Sequence, residues 1–375
     1  MAPARRPHGA PFVVIDPAPA YELLESLLPV IEGDRDDTYD VGPEWVADLR
    51  ARAGDALIAR IREVCFDNAD LFTSLVTLAY ETPAPRDVPA FLEHLRETDP
   101  VELKLHLVSF YTREARRMTP LSVMRAAVAG DRAARDEFLR TSHPEVEEWT
   151  HFLANILDAD GDELKAGILE VLAEWHEKVW KAEALTILPI IERDAAAKRA
   201  MLTAMPIDEF VREATNGVEY VPRPGVARIV MVPSFVQRPL VSYTEYADVQ
   251  LIVYPVADES VTAATDEPPR RLVRLSKALG DEKRLRILRA LADGEKTLME
   301  LADMFGVAKT TMHHHMIILR SAGLVTVGVG QKRYRLRQEA LPDVGGLLAG
   351  YLGAPAASAT PASPAAPKRR TTAGR

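Results

Sequence analysis

Three consecutive histidines, His313, His314 and His315, are the residues whose type most suggests metal chemistry. They lie in the stretch KTTMHHHMIIL, whose apolar residues recur at helical spacing. Since each residue of a helix advances by about 100°, three neighbouring imidazoles fan over about 200° and cannot converge on one ion. Helical zinc ligands stand three or four residues apart. We therefore predict no metal at this run, and no cofactor for the protein.

The outer face of the same helix is better suited to hydrogen bonding with a polar partner. If the Met/Leu stripe of the helix is buried, Thr310 and His314 point outwards, His313 lies at the side and His315 stays close to the core. Neutral imidazoles and hydroxyls can donate to and accept from base edges. The side chains that we predict to contact DNA near the start of this helix are Lys309, Thr310, Thr311, His313 and His314.

The distribution of charge also indicates an anionic partner. The chain has 375 residues and a net charge of −9. Residues 268–340 contain 15 Lys/Arg against 7 Asp/Glu, a net of +8, whereas residues 1–267 carry −20. A basic segment on an acidic protein favours nucleic acid as the partner. The alternative is a basic, solvated face without a specific partner.

Local signals divide the segment 270–352 into a recognisable order of elements. RRLVRLSKALG, DEKRLRILRALADG and TLMELADMFG each have helical periodicity and end at a glycine. A turn at Gly306 leads into the histidine helix, and LVTVGVGQKRYRL then alternates around two glycines, which predicts a β-hairpin. The order is a helix-turn-helix followed by a wing.

Residues 272–337 resemble the winged-helix domain of the ArsR family of bacterial repressors. The resemblance rests on LSKALGDEKRLRILRAL, ELADMFGVAKTTMHHHMIILRSAGLV and the KRYRL that closes the wing. It implies a DNA-binding transcriptional regulator, usually a homodimer on a palindromic site, with 308–320 as the recognition helix and 324–337 as the wing. KTLMELAD lacks the cysteines of the family's metal sensors, and the segment after the wing lacks their histidines. Ala308 stands where the family usually has a Ser or Asn N-cap.

Basic side chains at the far end of the helix and along the wing are candidates for phosphate contacts. Arg333 and Arg335 alternate with Tyr334 and Leu336, so one face of the hairpin is basic and the other packs inwards. The residues that we predict to contact phosphates are Arg320, Lys332, Arg333 and Arg335. For each of them the alternative is an ordinary surface charge.

The acidic region 12–256 has mostly helical periodicity, and Pro189 is expected to kink or split a long helix. VARIVMV, PLVSYTEY and VQLIVYPV predict a three-stranded antiparallel meander over 226–256. The region has no Gly-rich phosphate loop, no nucleophile elbow and no zinc-protease motif. The chain has one cysteine, so neither a disulfide framework nor a thiolate metal cluster is expected.

Aromatic and imidazole side chains in EWTHF and EWHEKVW are the one candidate ligand site in this region. They are either the lining of an apolar pocket for a small-molecule effector or large side chains packed in a helical core. The residues of the candidate pocket are Trp149, His151, Trp175, His176 and Trp180.

The sequence thus predicts an α+β, mainly helical protein with a small antiparallel sheet and a C-terminal winged helix. The predicted segments are a disordered arm (1–11), a helical regulatory or dimerisation domain (12–256), a linker (257–269), the DNA-binding domain (270–352) and a disordered tail (353–375). Without a secretory signal or a membrane span, a cytoplasmic protein is expected. The predicted function is a homodimeric repressor that binds double-stranded DNA and is not an enzyme. The alternatives are a protein-interaction module and an enzyme with a catalytic N-terminal domain.

Overall fold

The computed structural model describes residues 11–32, 39–109, 119–142, 147–222, 225–261, 268–328 and 333–352. The predicted tail and all of the predicted arm except Pro11 lie outside these ranges. Helices account for 65% of the structure, which confirms the prediction of a mainly helical protein.

Helices make up most of the N-terminal part. These are α1 Pro19–Glu25, α2 Leu28–Glu32, α3 Pro43–Ala53, α4 Asp55–Val64, α5 Asp70–Ser74, α6 Val76–Glu81, α7 Val88–Glu97, α8 Pro100–Ser109, α9 Leu121–Val128, α10 Arg132–Thr141, α11 Glu147–Asp158, α12 Gly161–Trp175, α13 Lys181–Ala204 and α14 Ile207–Ala214. A π-helical turn, His176–Trp180, joins α12 to α13. Pro189 lies inside α13, so the predicted split of this helix does not occur.

A mixed four-stranded sheet lies within the N-terminal part. Its strands are β1 Phe12–Ile15, β3 Arg228–Ser234, β4 Ser242–Tyr246 and β5 Val249–Pro255. Strand β2, Val218–Glu219, is part of a second sheet. The order is β1-β3-β5-β4, with β1, β3 and β5 parallel and β4 antiparallel to β5. The predicted antiparallel meander is therefore right for the pair β4–β5 and wrong for β3, which pairs in parallel with β5 instead of antiparallel with β4.

The parallel pairing of β3 with β5 is explained by burial on both faces of these central strands. Val230 and Leu251 belong to the large core shared with the helices around α1–α12, whereas Met231 and Ile252 pack against α13 and α14. Strands covered on both sides have nearly continuous apolar sequences, which is typical of parallel sheets. The loop 235–241 carries the chain past β5, so that β4 pairs on its far side.

The C-terminal part contains the predicted helix-turn-helix and wing. Its elements are α15 Arg270–Leu279, α16 Glu282–Ala292, β6 Lys296–Thr297, α17 Leu298–Phe305, α18 Lys309–Ser321, β7 Val325–Gly328, β8 Arg333–Leu336 and α19 Leu341–Tyr351. Strands β7 and β8 pair antiparallel, as the wing hairpin requires. A separate core, centred on Leu291, Leu301, Met316 and Leu319, holds these helices together.

The wing belongs to a sheet that the two parts of the chain share. The order of this second sheet is β2-β7-β8-β6. Strand β2, which follows α14, pairs in parallel with β7 through Val218 with Val327 and Glu219 with Gly328. The predicted domain boundaries remain predictions, but a strand from the predicted N-terminal domain extends the wing sheet.

Ion pairs form a second connection between the two parts. Arg274 of α15 lies 2.5 Å from Asp40 and 2.9 Å from Asp258. Buried Arg238, which precedes β4, pairs with the same two carboxylates. Among the described residues, no helix has the length and apolar composition needed to cross a membrane.

Candidate nucleic-acid interface

Helix α17 and the turn after it are fixed by local hydrogen bonds. Thr297 caps the helix: its Oγ1 accepts from the Glu300 amide at 3.1 Å, and the Glu300 carboxylate accepts from the Thr297 amide at 2.6 Å. The bond from the Thr297 amide to the carboxylate holds the pKa of Glu300 below its ordinary value. Gly306 ends the helix in the left-handed conformation (φ 61°), which glycine adopts without strain. The turn thereby sets the angle between α17 and α18.

Helix α16 supports the pair from behind. Asp281 caps it by accepting from the Arg284 amide at 2.9 Å, and this bond lowers the pKa of Asp281. The Arg284 guanidinium donates to the carbonyl oxygens of Ala278 at 3.0 Å and Lys277 at 2.6 Å. This arginine therefore caps the C-terminal end of α15, and its guanidinium has a structural role.

Helix α18 presents polar side chains on the face opposite its core contacts. Met312, Met316 and Leu319 are buried in the C-terminal core, and the N-cap Ala308 makes no side-chain cap bond. Exposed side chains of the first turns comprise Lys309, Thr310, Thr311, His313 and His314. The structure thus brings all five of these side chains, which the sequence predicts to contact DNA, onto the exposed surface of one helix end. This arrangement can offer hydroxyl, imidazole and ammonium groups to base edges in the major groove.

His315 differs from its two neighbours. It is 9% exposed, and its Nδ1 is buried without a hydrogen-bond partner. Burial lowers the pKa of His315, and the carboxylate of Asp281 partly offsets this effect. The residue therefore belongs to the packing of α18 rather than to its exposed face.

Arg335, a predicted phosphate contact, is engaged by carboxylates within the protein. It pairs with Glu219 of β2 at 3.3 Å and makes a closer pair with Glu295 before β6. Arg337 has a similar partner in Glu213 of α14, at 3.3 Å. A phosphate would have to compete with these carboxylates for both guanidinium groups.

Arg320, the second predicted phosphate contact, is half-buried at the far end of α18. Burial lowers the pKa of this arginine, and the nearby phenols of Tyr334 on β8 and Tyr243 on β4 partly offset this effect. Burial also raises the pKa of Tyr334. This end of the helix thus lies near phenols from both parts of the chain.

Arg333 is the wing arginine with the weakest internal contacts. It is exposed, lies 3.9 Å from the Glu300 carboxylate and donates to the Glu295 carbonyl oxygen at 3.5 Å. Lys332 lies outside the described residues. Arg333 is therefore the described wing residue best placed to contact a phosphate.

The residues that the sequence did not indicate come from the N-terminal part. Asn216 donates to the Ser321 carbonyl oxygen at 3.1 Å, and Glu219 accepts from Thr326 at 3.2 Å. A two-residue strand has no periodicity to detect. The Asn-Gly pair at 216–217 is a turn signal, but nothing in it identifies the partner strand.

The candidate pocket residues of the N-terminal part differ in their exposure. Trp175 and Trp180 are fully buried in the core, where Trp175 donates to the Ser26 hydroxyl at 2.9 Å. Trp149 is half-buried and His151 is exposed on α11. His176 opens the π-helical turn, and burial lowers its pKa. A pocket formed by all five therefore remains a prediction. No three His, Cys, Asp or Glu side chains are grouped for a metal within the described ranges.

Comparison with known protein families locates the C-terminal unit. The model of the family described as "Bacterial regulatory protein, arsR family" matches residues 281–327, from the N-cap of α16 into β7. The C-terminal region contains an ArsR-family helix-turn-helix domain. The presence of this ArsR-family domain supports a DNA-binding transcription regulator. No curated protein and no solved structure matches the chain.

Proposed function

We propose that the protein is a transcriptional repressor that binds a palindromic operator in the cytoplasm as a homodimer. The observation that carries the proposal is the open end of α18, where two threonines, two histidines and a lysine are exposed beside a rigid turn. Threonine and histidine read base edges through hydrogen bonds, and Lys309 attracts phosphates. Arg333 adds a backbone contact from the wing.

A homodimer is supported by the apolar end of helix α19. Leu348, Tyr351 and Leu352 are 47%, 45% and 67% exposed. Grouped apolar side chains at a surface are typical of protein interfaces. A dimer would present two recognition helices to the DNA. We expect them to contact half-sites about 34 Å apart, one turn of DNA.

The N-terminal part serves regulation in this proposal, by sensing a small-molecule effector or by adding to the dimer interface. Its contacts with the wing sheet and with α15 support this role. Any change of shape in the N-terminal part would be transmitted through these contacts to the helices that contact DNA. Catalysis is not part of the proposed role.

Selection of bound duplexes from a random library tests the proposal most directly. We expect enrichment of a palindrome that binds about a thousandfold tighter than scrambled DNA, with a steep loss of affinity as salt increases. A folded protein that enriches no sequence across a range of salt concentrations would contradict it. Sedimentation of the wild type and of L348D/L352D gives the second readout, since a dimer built on α19 should dissociate in the variant.

The same experiments separate the proposal from the two alternative functions. A wing that docks a protein would show no preference among DNA sequences. If the protein were an enzyme, a variant that lacks the proposed DNA-contacting side chains of α18 would still convert its substrate.

A further inference from the structure

We infer that residues 215–219 position the recognition helix, so that Asn216 is a positioning residue for DNA recognition although it belongs to the N-terminal part. The inference rests on the proposed function and concerns how the same DNA-binding surface is oriented. The segment contacts the far end of α18 and the outer strand of the wing at once. Residues 215–219 together with 321–328 are called the joint.

The first observation is the hydrogen bond at the end of α18. The last carbonyl groups of a helix have no partner within it. The Asn216 amide donates to one of them, the Ser321 oxygen, at 3.1 Å. A side chain more than a hundred residues earlier in the sequence thus caps the C-terminal end of the recognition helix.

The second observation is the close approach of the backbones. Gly323, after α18, has a φ of 70°, and a Cβ built on it would lie 2.7 Å from Asn216 Oδ1. Gly217 has a φ of 112°, and its Cβ would lie 3.3 Å from Thr326 Cγ2. Asn216 itself has a φ of 53°. Two glycines and an asparagine, the residues that best tolerate positive φ, therefore stand where the two segments meet.

The third observation is the pairing of strand and charge beyond this contact. The Thr215 hydroxyl accepts a hydrogen bond from the Val218 amide at 3.0 Å. This bond stabilises the turn that leads into β2. Strand β2 then adds to β7, and the Glu219 carboxylate binds both Thr326 and Arg335. The joint thus fixes the edge of the wing as well as the end of α18.

The fourth observation is that a separate connection anchors the other side of the C-terminal unit. Arg274 of α15 is held between Asp40 and Asp258. A rigid unit held at two separate places has its orientation defined, whereas a single contact would leave it free to pivot. The alternative is a joint that only stabilises the fold, and the test must separate the two roles.

The test uses the full-length chain with the variants N216G, G323A and the double N216G/G323A. N216G removes the amide donor and keeps the positive φ. G323A introduces a methyl group against Asn216. G130A is the control, because Gly130 also has a positive φ (96°) but meets nothing within 4 Å and lies in the N-terminal part between α9 and α10. Each protein is measured well below its melting temperature, so that all of it is folded.

The readout is the ratio of affinity for the selected operator to affinity for scrambled DNA. Loss of one hydrogen bond corresponds to about a fivefold change, so N216G should lower the ratio by about that factor and G323A by at least as much. The loss in the double variant should be smaller than the product of the two single losses, because the methyl group no longer meets the amide. G130A should keep the wild-type ratio. Unchanged ratios in N216G and G323A would overturn the inference, even if both variants were less stable.

Hydrogen exchange on the same proteins keeps the two proposals apart. Amides of β7 should lose protection in G323A and keep it in G130A. If the wild type selects no operator, both the proposed function and the positioning role in DNA recognition are contradicted. Hydrogen exchange of the β7 amides would still show whether the joint stabilises the wing. If the wild type selects an operator but the joint variants change neither the ratio nor the exchange, only the inference is overturned.

Discussion

The two ends of helix α18 differ in what surrounds them. At its start, Lys309 to His314 are exposed apart from buried Met312, and the N-cap Ala308 contributes no side-chain bond. At its far end, Ser321 accepts a hydrogen bond from Asn216, and Arg320 is half-buried, with a pKa that burial lowers. The open end is available to a partner, whereas the closed end is bound by the rest of the chain.

This difference shows that the same residue types have different roles on one small unit. Arg333 and Arg335 stand two residues apart on one strand, yet carboxylates within the protein engage Arg335 far more closely. Basic character alone therefore overestimates the surface available to DNA. Substitutions at exposed and at internally bound positions of the C-terminal unit should therefore have effects of different size.

Removal of two side chains at the open end should have the largest effect on DNA binding. We expect K309A/H314A to weaken operator binding by about tenfold to a hundredfold, because a phosphate contact and a base contact are lost together. Fluorescence anisotropy with the selected duplex measures this. The control K181A/H151A removes the same residue types from exposed positions on α13 and α11. Equal affinities of wild type and K309A/H314A would remove these residues from the interface.

The two wing arginines should differ in their contribution to the salt dependence. R333Q removes a charge that can reach a phosphate, so the slope of log affinity against log salt should become less steep by about one. R335Q/E295Q removes an internal pair without changing the net charge and should leave the slope as it is. A slope that changes more in the pair variant would mean that Arg335 leaves its carboxylates when DNA binds.

The cap of α16 should contribute to stability whether or not DNA is bound. We expect D281A to lower the free energy of unfolding of the C-terminal unit by about 1 kcal/mol near neutral pH. The pKa of Asp281 is lowered in the folded state, so its contribution is complete above the pKa of an unfolded aspartate, about 3.9. It is lost as the pH falls through the lowered value.

Denaturant unfolding at pH 7 and near pH 3 measures the effect of D281A. The control is D293A, at the exposed far end of the same helix. A difference between D281A and wild type that is as large near pH 3 as at pH 7 would argue against the carboxylate as the source of the stabilisation.

His315 should give the smallest effect, a dependence of stability on pH. Its folded pKa is below the unfolded value of about 6.5, because burial disfavours the imidazolium. The unfolded chain therefore takes up the proton first as the pH falls below about 6.5, and stability decreases until the lowered pKa is passed. The imidazole contributes its full stability above that range.

The variant H315L should flatten the pH dependence between pH 7 and 5, and H314L, at the exposed neighbouring position, is its control. His176 has a pKa lowered by burial as well, so the difference between wild type and variant is the quantity to compare. Parallel pH curves for wild type and H315L would contradict the assignment.

The order of elements in the C-terminal unit was predictable because each boundary has a local signal. Asp281 caps α16, and Gly306 and Gly323 take positive φ after α17 and α18. These residues act within a few positions of themselves. The exposed face of α18 followed from helical periodicity in the same way.

The sheet of the N-terminal part was predicted only in part because strand direction depends on distant partners. Phe12 pairs with Arg228, more than two hundred residues away, and four residues beside a Pro-rich arm give little indication of a strand. The continuous apolar character of VARIVMV and VQLIVYPV was the available signal for parallel, doubly covered strands. The three strands of 226–256 were correctly assigned, whereas the predicted pairing of β3 with β4 was wrong, because β3 pairs in parallel with β5.

The sequence by itself determined the helix-turn-helix, the exposed face of α18 and the basic charge around it, because these depend on periodicity, caps and turns within short stretches. Only the tertiary structure decided which charges remain available and what holds the helix. Glu219 and Asn216 meet the wing and α18 through pairings that span more than a hundred residues. The energy of such contacts depends on a few ångströms of distance, and no local pattern of residues encodes that distance.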